Sequence, residues 1–145
     1  MAGVLCVLPA VGGCRERPYF SAPLVLASGV EVSPDVLNEG RRKYRLYCAR
    51  CHGESGDGHG MASSSLPTAP RDLTRAEFKL AGTAGKLPDD RQLVELVRTG
   101  MFGTAMPAFD IPESERLAIV QYTKTFSQRW QNEPPRRAAV SSEER

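Results

Sequence analysis

The sequence has few aromatic residues, almost no net charge and no long apolar run. Aromatic side chains make up 7% of its 145 residues, so a small domain has little bulky material to fill its core. Nineteen basic and seventeen acidic residues leave a net charge of +2, which argues against a dedicated nucleic-acid binder. The uncharged stretch 1–13 is shorter than the roughly 20 residues of a membrane-spanning helix. These shortages favour a small domain whose core is completed by something other than side chains.

Loop-forming residues and helix signals are what the sequence does contain. Thirteen glycines and eleven prolines exceed the roughly 12% share that these residues usually take together. A first helix is predicted after the N-cap Ser33, with Pro34 at its first position, and runs toward Cys48. A short helical turn is also predicted at 75–80. Because no alternating pattern of useful length predicts a strand, the predicted fold class is all-α, with three main helices and long loops.

The second and third helices have their own end signals. Asp89 and Gln92 form a predicted capping box for the second helix, which ends at Gly100. The third helix is predicted to begin near Asp110, with Pro112 in its first turn. The predicted buried faces of the three helices are Leu37, Gly40, Tyr44, Leu46 and Tyr47, then Leu93, Leu96 and Val97, then Ile119, Tyr122 and Phe126.

The chain divides into four predicted parts. Residues 1–13 resemble the apolar part of an export signal, and 14–32 read as an extended tether. Residues 33–126 have the size of one compact domain, and 127–145 are predicted to be a disordered tail. The residues before Cys14 resemble the lipobox of bacterial lipoproteins. Two forms of the exported chain therefore stay open, one with a membrane-anchoring lipid on Cys14 and one without it.

The strongest chemical signal is a C-x-x-C-H motif formed by Cys48, Cys51 and His52. Two thiols about one helical turn apart can bond to the two vinyl groups of a haem, and the adjacent imidazole can bind its iron. A zinc site would need four ligands, and only Cys14 and His59 remain as further candidates after removal of a signal. A redox dithiol of the thioredoxin kind would follow a strand, which the sequence does not predict. The motif therefore predicts covalent haem attachment.

A methionine is the expected second ligand of the iron. A haem held by His52 is closed to substrates only when a sixth ligand is bound, and methionine in that position raises the reduction potential. Met61 follows His52 too closely to reach the opposite face of a haem. Met106 precedes a proline, which stiffens an extended loop. We therefore predict Met106 as the ligand and Met101 as a packing residue.

Four motifs follow one another in a recognisable order. They are Gly40-x-x-x-Tyr44-x-x-x-Cys48-x-x-Cys51-His52-Gly53, Gly56-Asp57-Gly58-His59-Gly60, Pro70-Arg71-Asp72-Leu73-Thr74 and Gly103-Thr104-Ala105-Met106-Pro107. In this order they resemble class I c-type cytochromes, particularly bacterial periplasmic ones, over nearly all of 33–126. The resemblance implies the cytochrome c fold, with long loops wrapped around one haem c that is attached through both cysteines.

The same resemblance implies roles for several further residues. Gly40 would let Tyr122 of the last helix approach the first helix closely. The carbonyl of Pro70, or of Pro67 as an alternative, would accept the second N–H of the haem-ligating imidazole. Arg71 is a candidate partner for a haem propionate, the alternative being a solvated loop arginine.

The predicted function is electron transfer rather than catalysis. With His52 and Met106 both bound, the iron has no free position, and the sequence shows no general acid or nucleophile in a recognisable constellation. Three alternatives stay open: a tethered subunit of a respiratory complex such as a nitrogen-oxide reductase, a gas sensor or peroxidase whose methionine ligand leaves, and a haem-free metal-binding module.

The expected partners are redox proteins, and the expected location is the periplasm, with membrane attachment if Cys14 carries a lipid. No nucleic acid is expected as a partner. The basic run 41–45 and Arg50 are predicted to be a solvated helix face, or alternatively a surface that steers an acidic redox partner. His59 is predicted to lie at the surface.

Overall fold

The computed structural model describes residues 18–79 and 85–135, and this part of the chain is mostly helical. Its elements are β1 (Leu24–Val25), β2 (Glu31–Val32), α1 (Pro34–Tyr47), α2 (Ala49–His52), a 3-10 helix at Ser63–Ser65, α3 (Asp90–Thr99), α4 (Glu113–Thr123), a 3-10 helix at Lys124–Phe126 and α5 (Arg129–Asn132). The predicted all-α fold with three main helices and long loops is confirmed, with α1, α3 and α4 as those helices.

The ends of α1 and α3 lie where the sequence predicts them. The Ser33 hydroxyl accepts a hydrogen bond from the Val36 N–H at 3.4 Å, which caps the start of α1. Asp89 and Gln92 form the complete capping box of α3, each side chain accepting a bond from the other residue's N–H. Helix α3 stops at Gly100, whose φ of +68° favours glycine.

Helix α4 begins later than predicted. Its first residue is Glu113, and Pro112 is the N-cap with an extended backbone, so the expected start near Asp110 is wrong. A residue before a proline is pushed out of the α region by the proline ring, and Ile111 occupies that position. The helix therefore starts only after Pro112.

The helices α1 and α4 cross at Gly40. A Cβ built on Gly40 would lie 2.0 Å from the Ala118 carbonyl oxygen and 2.7 Å from the Tyr122 Cβ, so the two backbones touch there. Tyr44 is fully buried one turn further along, and its ring packs on Tyr122 at a centroid distance of 5.3 Å. The predicted close approach of Tyr122 to Gly40 is confirmed. Leu46 differs from the prediction, because its side chain is 68% exposed on the opposite side of α1.

Residues 18–32 fold onto the domain, which differs from the expected extended tether. Strands β1 and β2 pair antiparallel, with Leu24 opposite Val32. Leu26 and Val32 are buried in the core. Asn38 on α1 accepts from the Phe20 N–H and donates to the Phe20 carbonyl, both at 2.9 Å. Strands of two residues are too short to produce a visible alternation, which is why the pattern does not reveal them.

The C-terminal segment also differs from the prediction. Helix α5 buries Trp130, and the Trp130 carbonyl accepts a hydrogen bond from the Ala27 N–H at 3.0 Å. Arg129 donates to the Ala76 carbonyl at 2.7 Å. The expected disordered tail is therefore wrong for 127–135.

The predicted helical turn at 75–80 is absent from its described part, 75–79. Ala76 has a φ of +47°, a left-handed conformation that ends any right-handed helix. The remaining predictions lie outside the described residues. They are the export signal at 1–13, the lipid on Cys14, the tether at 14–17, the end of the helical turn at Leu80, and the tail from 136 onward.

Candidate functional site

A largely apolar cavity of about 260 Å³ lies between the helices and the loop after α3. Its walls come from all four of the helices α1 to α4 and from three loop segments. The lining residues that carry the site are Cys48, Cys51, His52, Pro70, Arg71, Leu93, Val97, Met101, Thr104, Met106, Ile119 and Val120. The structure thus brings together on one cavity every cofactor-binding residue that the sequence predicts.

The short helix α2 presents the C-x-x-C-H motif to this cavity. The Cys51 and His52 N–H groups both donate to the Cys48 carbonyl, at 3.1 and 2.9 Å, which closes the turn. Both thiols are free and half-buried. One helical turn therefore places the two sulfur atoms and the imidazole at the same wall.

The imidazole of His52 is held in one tautomer by the loop opposite. Its Nδ1 lies 3.0 Å from the Arg71 carbonyl oxygen, so Nδ1–H donates there and Nε2 is left with a free lone pair. Burial lowers the pKa of His52, while the bond to Arg71 opposes this shift. Both the tautomer and the neutral state suit an imidazole that binds iron through Nε2.

The carbonyl that accepts from His52 is one residue later than predicted. Pro70 was expected to provide it, with Pro67 as the alternative, and the structure assigns it to Arg71. The Pro70 carbonyl instead lies against Gly58, where an added Cβ would come within 2.8 Å of it. A motif fixes the order of residues, whereas the carbonyl that meets the ring depends on the path of the loop.

The loop that follows His52 folds back onto the motif. Gly58 N–H donates to the His52 carbonyl at 2.9 Å, and Gly60 N–H donates to the Cys51 carbonyl at 3.1 Å. The buried Tyr44 hydroxyl donates to the Gly53 carbonyl at 2.8 Å. This side of the cavity is therefore fixed by backbone bonds within its own segment and by the Tyr44 side chain of α1.

The surroundings of the Cys48 thiol differ from those of a reactive redox cysteine. Burial, with a smaller contribution from Cys51, raises the pKa of the Cys48 thiol to about 12. Reactive redox cysteines have the opposite property, a lowered pKa that yields the thiolate. The raised pKa of Cys48 therefore argues against a reactive redox cysteine at this position.

Two methionines reach the cavity from the loop between α3 and α4. Met101 and Met106 both line it and are half-buried, whereas Met61 lies outside the lining and is 92% exposed. The loop touches the end of α3, since a Cβ on Gly100 would lie 2.6 Å from the Pro107 carbonyl carbon. Glycine is thus required at position 100, where the chain turns back. Because both methionines line the cavity, the choice of Met106 over Met101 as the iron ligand stays a prediction.

Charged residues around the site are mostly paired at the surface. On α1, the Lys43 Nζ lies 2.9 Å from the Glu115 Oε2. The Arg45 Nε lies 3.1 Å from the Glu54 Oε2, and Arg42 forms an ion pair with Glu39. This pairing accords with a solvated helix face. The side chain of His59 is 86% exposed, as expected.

Within the described ranges, no group of three or more His, Cys, Asp or Glu side chains is placed to hold a metal ion. Among the same residues, no helix is long and apolar enough to span a membrane.

Several lining residues were missed by sequence reasoning. Leu66, Phe78, Lys79 and Phe109 contribute to the cavity although no motif marks them. Phe78 and Phe109 could have been suspected, because large apolar residues inside a long loop usually pack on something. Thr104 lies inside the G-T-A-M-P motif, but its hydrogen bonds depend on the folded loop.

The residues at this cavity fit a covalently attached haem. Two thiols one turn apart can anchor the group, and a neutral imidazole with a free Nε2 offers one iron ligand. A thioether from the loop after α3 offers a second, and the apolar lining suits a macrocycle.

Comparisons with known proteins agree with this chemistry. The family model described as "Cytochrome C oxidase, cbb3-type, subunit III" matches residues 35–122. The chain is also similar to a solved structure from Kuenenia stuttgartiensis, described as "reducing HAO-like protein complex Kustc0457/Kustc0458". Identity to it is 33% and the TM-score is 0.66, over 69% of this chain and 46% of that one.

The chain therefore spans less than half of the chain that it resembles in that structure. A comparison with curated proteins found no match. The family model covers well over half of the chain, including the C-x-x-C-H motif. In this family haem c is attached covalently, and Cys48 and Cys51 have the spacing for that attachment. The chain belongs to the class I c-type cytochromes, as an electron-transfer domain of that family.

Proposed function

We propose that this chain carries single electrons through a haem whose iron is bound by His52 and Met106. The observation that carries the proposal is that both side chains line one apolar cavity beside the two attachment thiols. Bound haem supplies an iron that cycles between its ferrous and ferric states. A domain with both axial positions filled exchanges electrons with partners and offers no position to a substrate.

The chain's own residues divide the work between them. Cys48 and Cys51 anchor the group covalently, and the Arg71 carbonyl keeps His52 in the tautomer that binds iron. Apolar side chains such as Leu93 and Ile119 line the cavity and suit contact with the macrocycle. Arg71 also lines the cavity, and its guanidinium is our candidate partner for a haem propionate.

The substitution Met106→Ala tests the second ligand, with Met101→Ala as the matched control in the same loop. Haem should remain attached to Met106→Ala, because Cys48, Cys51 and His52 are unchanged. The reduction potential should fall, and ferrous protein should bind CO rapidly, because the sixth position is open. Met101→Ala should keep the potential and the resistance to CO. If the two variants exchange behaviours, Met101 is the ligand, and if neither binds CO faster, the proposed closure by this loop is wrong.

A second candidate is a role as one subunit of a larger oxidoreductase complex. It is favoured by the description of the matching family as an oxidase subunit and by the similarity to a chain of an HAO-like protein complex. Purification from native membranes under mild detergent tests it. Co-purification with other redox subunits in fixed proportion would support this role, and a chain recovered alone would contradict it.

We further propose that the protein works in the periplasm, since haem attachment and the uncharged stretch 1–13 both accord with export. Intact mass of exported protein tests this. A chain that begins at or before Arg15 and has lost 1–13 supports export, and acyl chains on Cys14 would add the lipid anchor. Retention of Met1 would contradict export.

A further inference from the structure

The loop that carries the two methionines is closed by one side chain, that of Thr104. Its hydroxyl donates to the Met101 carbonyl at 2.8 Å and accepts from the Met106 N–H at 3.2 Å. The backbone adds two bonds, from the Thr104 N–H to the Met101 carbonyl and from the Met101 N–H to the Met106 carbonyl, both at 3.1 Å. The hydroxyl therefore links the backbones of both methionines.

Little else holds this part of the loop in shape. Phe102 is fully exposed, and a Cβ on Gly103 would meet nothing within 4 Å. The loop is anchored at its ends, where the Phe109 N–H donates to the Val97 carbonyl at 3.1 Å and where Gly100 touches Pro107. Between these anchors, the position of the Met106 backbone depends on the bonds that cross the loop.

We propose that Thr104 is a positioning residue that holds Met106 ready to bind the iron, an inference that rests on the proposed His52 and Met106 ligation. A ligand on a preorganised loop loses less conformational freedom on binding than one on a loose loop. Removal of the hydroxyl loosens Met106 and leaves its N–H without this partner. An added ligand then displaces the methionine at lower concentration.

A titration of ferric holoprotein with imidazole tests the inference, because imidazole competes with the methionine for the sixth position. Thr104→Val keeps the shape of the side chain and removes its hydrogen bonds. Since a net hydrogen bond is worth about 1 kcal/mol, imidazole should bind roughly three- to tenfold more tightly to this variant. Thr104→Ser restores the hydroxyl and should bind imidazole nearly as weakly as the unmodified protein.

The matched control is Thr99→Val, at the end of α3. Thr99 is also exposed, and its hydroxyl donates to the Glu95 carbonyl at 2.9 Å and lies 3.2 Å from the Gly100 carbonyl oxygen, but it makes no hydrogen bond to either methionine. It should leave imidazole binding unchanged. Hydrogen exchange gives a readout that does not use the iron, since the Met106 amide should exchange faster in Thr104→Val and at the normal rate in Thr104→Ser.

Three results would overturn the inference. The first is an unchanged imidazole affinity in Thr104→Val. The second is a gain in imidazole affinity in Thr99→Val as large as that in Thr104→Val. The third is a Thr104→Ser variant that binds imidazole as tightly as Thr104→Val. Met106→Ala, measured in the same titration, separates this failure from that of the proposed function. If Met106→Ala binds imidazole tightly while Thr104→Val does not, only the role of Thr104 is wrong. If Met106→Ala binds no more tightly than the unmodified protein, Met106 is not the ligand and both proposals fall.

Discussion

The segment that carries His52 and the loop that carries Met106 line the same cavity, yet they are held in different ways. Residues 48–60 are tied to themselves by backbone bonds, and their imidazole is fixed by a carbonyl from another loop. The loop 100–109 is largely exposed and has one side chain, Thr104, across its middle. The comparison indicates that the fold sets the position of His52, whereas the position of Met106 depends on a few local bonds.

This difference suits an electron carrier in which the two ligands have separate tasks. The attached side keeps the cofactor in place through every turnover. Under the ligation proposed for Met106, the methionine loop would set the reduction potential and keep other ligands out, because a thioether favours ferrous iron. Changes at residues 48–60 should therefore alter attachment and folding, and changes at 100–109 should alter ligand exchange.

The largest effect is expected from removal of both thiols. Cys48→Ala with Cys51→Ala leaves no sulfur to anchor the haem, so mass spectrometry of denatured protein should find none attached. Each single variant should keep at most one thioether and give a strongly reduced holoprotein yield. Met61→Ala, which changes an exposed methionine outside the cavity, should give the normal yield. Normal covalent haem in the double variant would contradict the assigned attachment.

An intermediate effect is expected from a matched pair of glycines. Gly58 and Gly103 both have positive φ, at +83° and +76°, so alanine at either position adds strain of about 1–2 kcal/mol. A Cβ at Gly58 would also lie 2.8 Å from the Pro70 carbonyl oxygen, whereas one at Gly103 would meet nothing within 4 Å.

Urea unfolding of the two ferric holoproteins should therefore separate them. Gly103→Ala should lose only the strain energy, about 1–2 kcal/mol. Gly58→Ala should lose more, because the Pro70 backbone beside the His52 partner must move. Equal losses of unfolding free energy would mean that the segment 48–60 and the loop 100–109 are held with similar rigidity, which would contradict the difference described above.

The smallest effect is expected from Tyr44→Phe. This change removes the buried bond to the Gly53 carbonyl, which keeps the Gly56 N–H as a donor, and should lower the free energy of unfolding by about 0.5–1 kcal/mol. Imidazole affinity should not change, because the methionine loop is untouched. Tyr19→Phe, at a position 68% exposed, is the control and should alter neither quantity. A gain in imidazole affinity in Tyr44→Phe would show that the segment 48–60 and the loop 100–109 are coupled.

The sequence predicts the local features of this fold well because their signals are local. Ser33 and Asp89 cap helices through residues three positions away, and Cys48, Cys51 and His52 lie within one turn. Gly40 is identifiable for a different reason, since its match to a family motif implies the close approach of Tyr122.

Features that depend on distant contacts escape such reasoning. The pairing of β1 with β2 and the burial of Trp130 arise from packing on the core, and neither produces a period in the sequence. The single tryptophan in an otherwise polar segment is the one signal that favours an ordered C-terminal helix. The His52 imidazole meets the Arg71 carbonyl and not the predicted Pro70 carbonyl, because the path of the loop decides which carbonyl faces the ring. No spacing rule fixes that path.

Near-infrared magnetic circular dichroism of the unmodified ferric holoprotein is the most direct test of ligation by His52 and Met106. A bond between ferric haem iron and a thioether sulfur gives a weak charge-transfer band at a characteristic wavelength in this region, whereas water, hydroxide or a second imidazole gives a band at another wavelength. We predict that the band is present in the unmodified protein and in Met101→Ala and absent in Met106→Ala. Its absence from the unmodified protein would contradict methionine ligation.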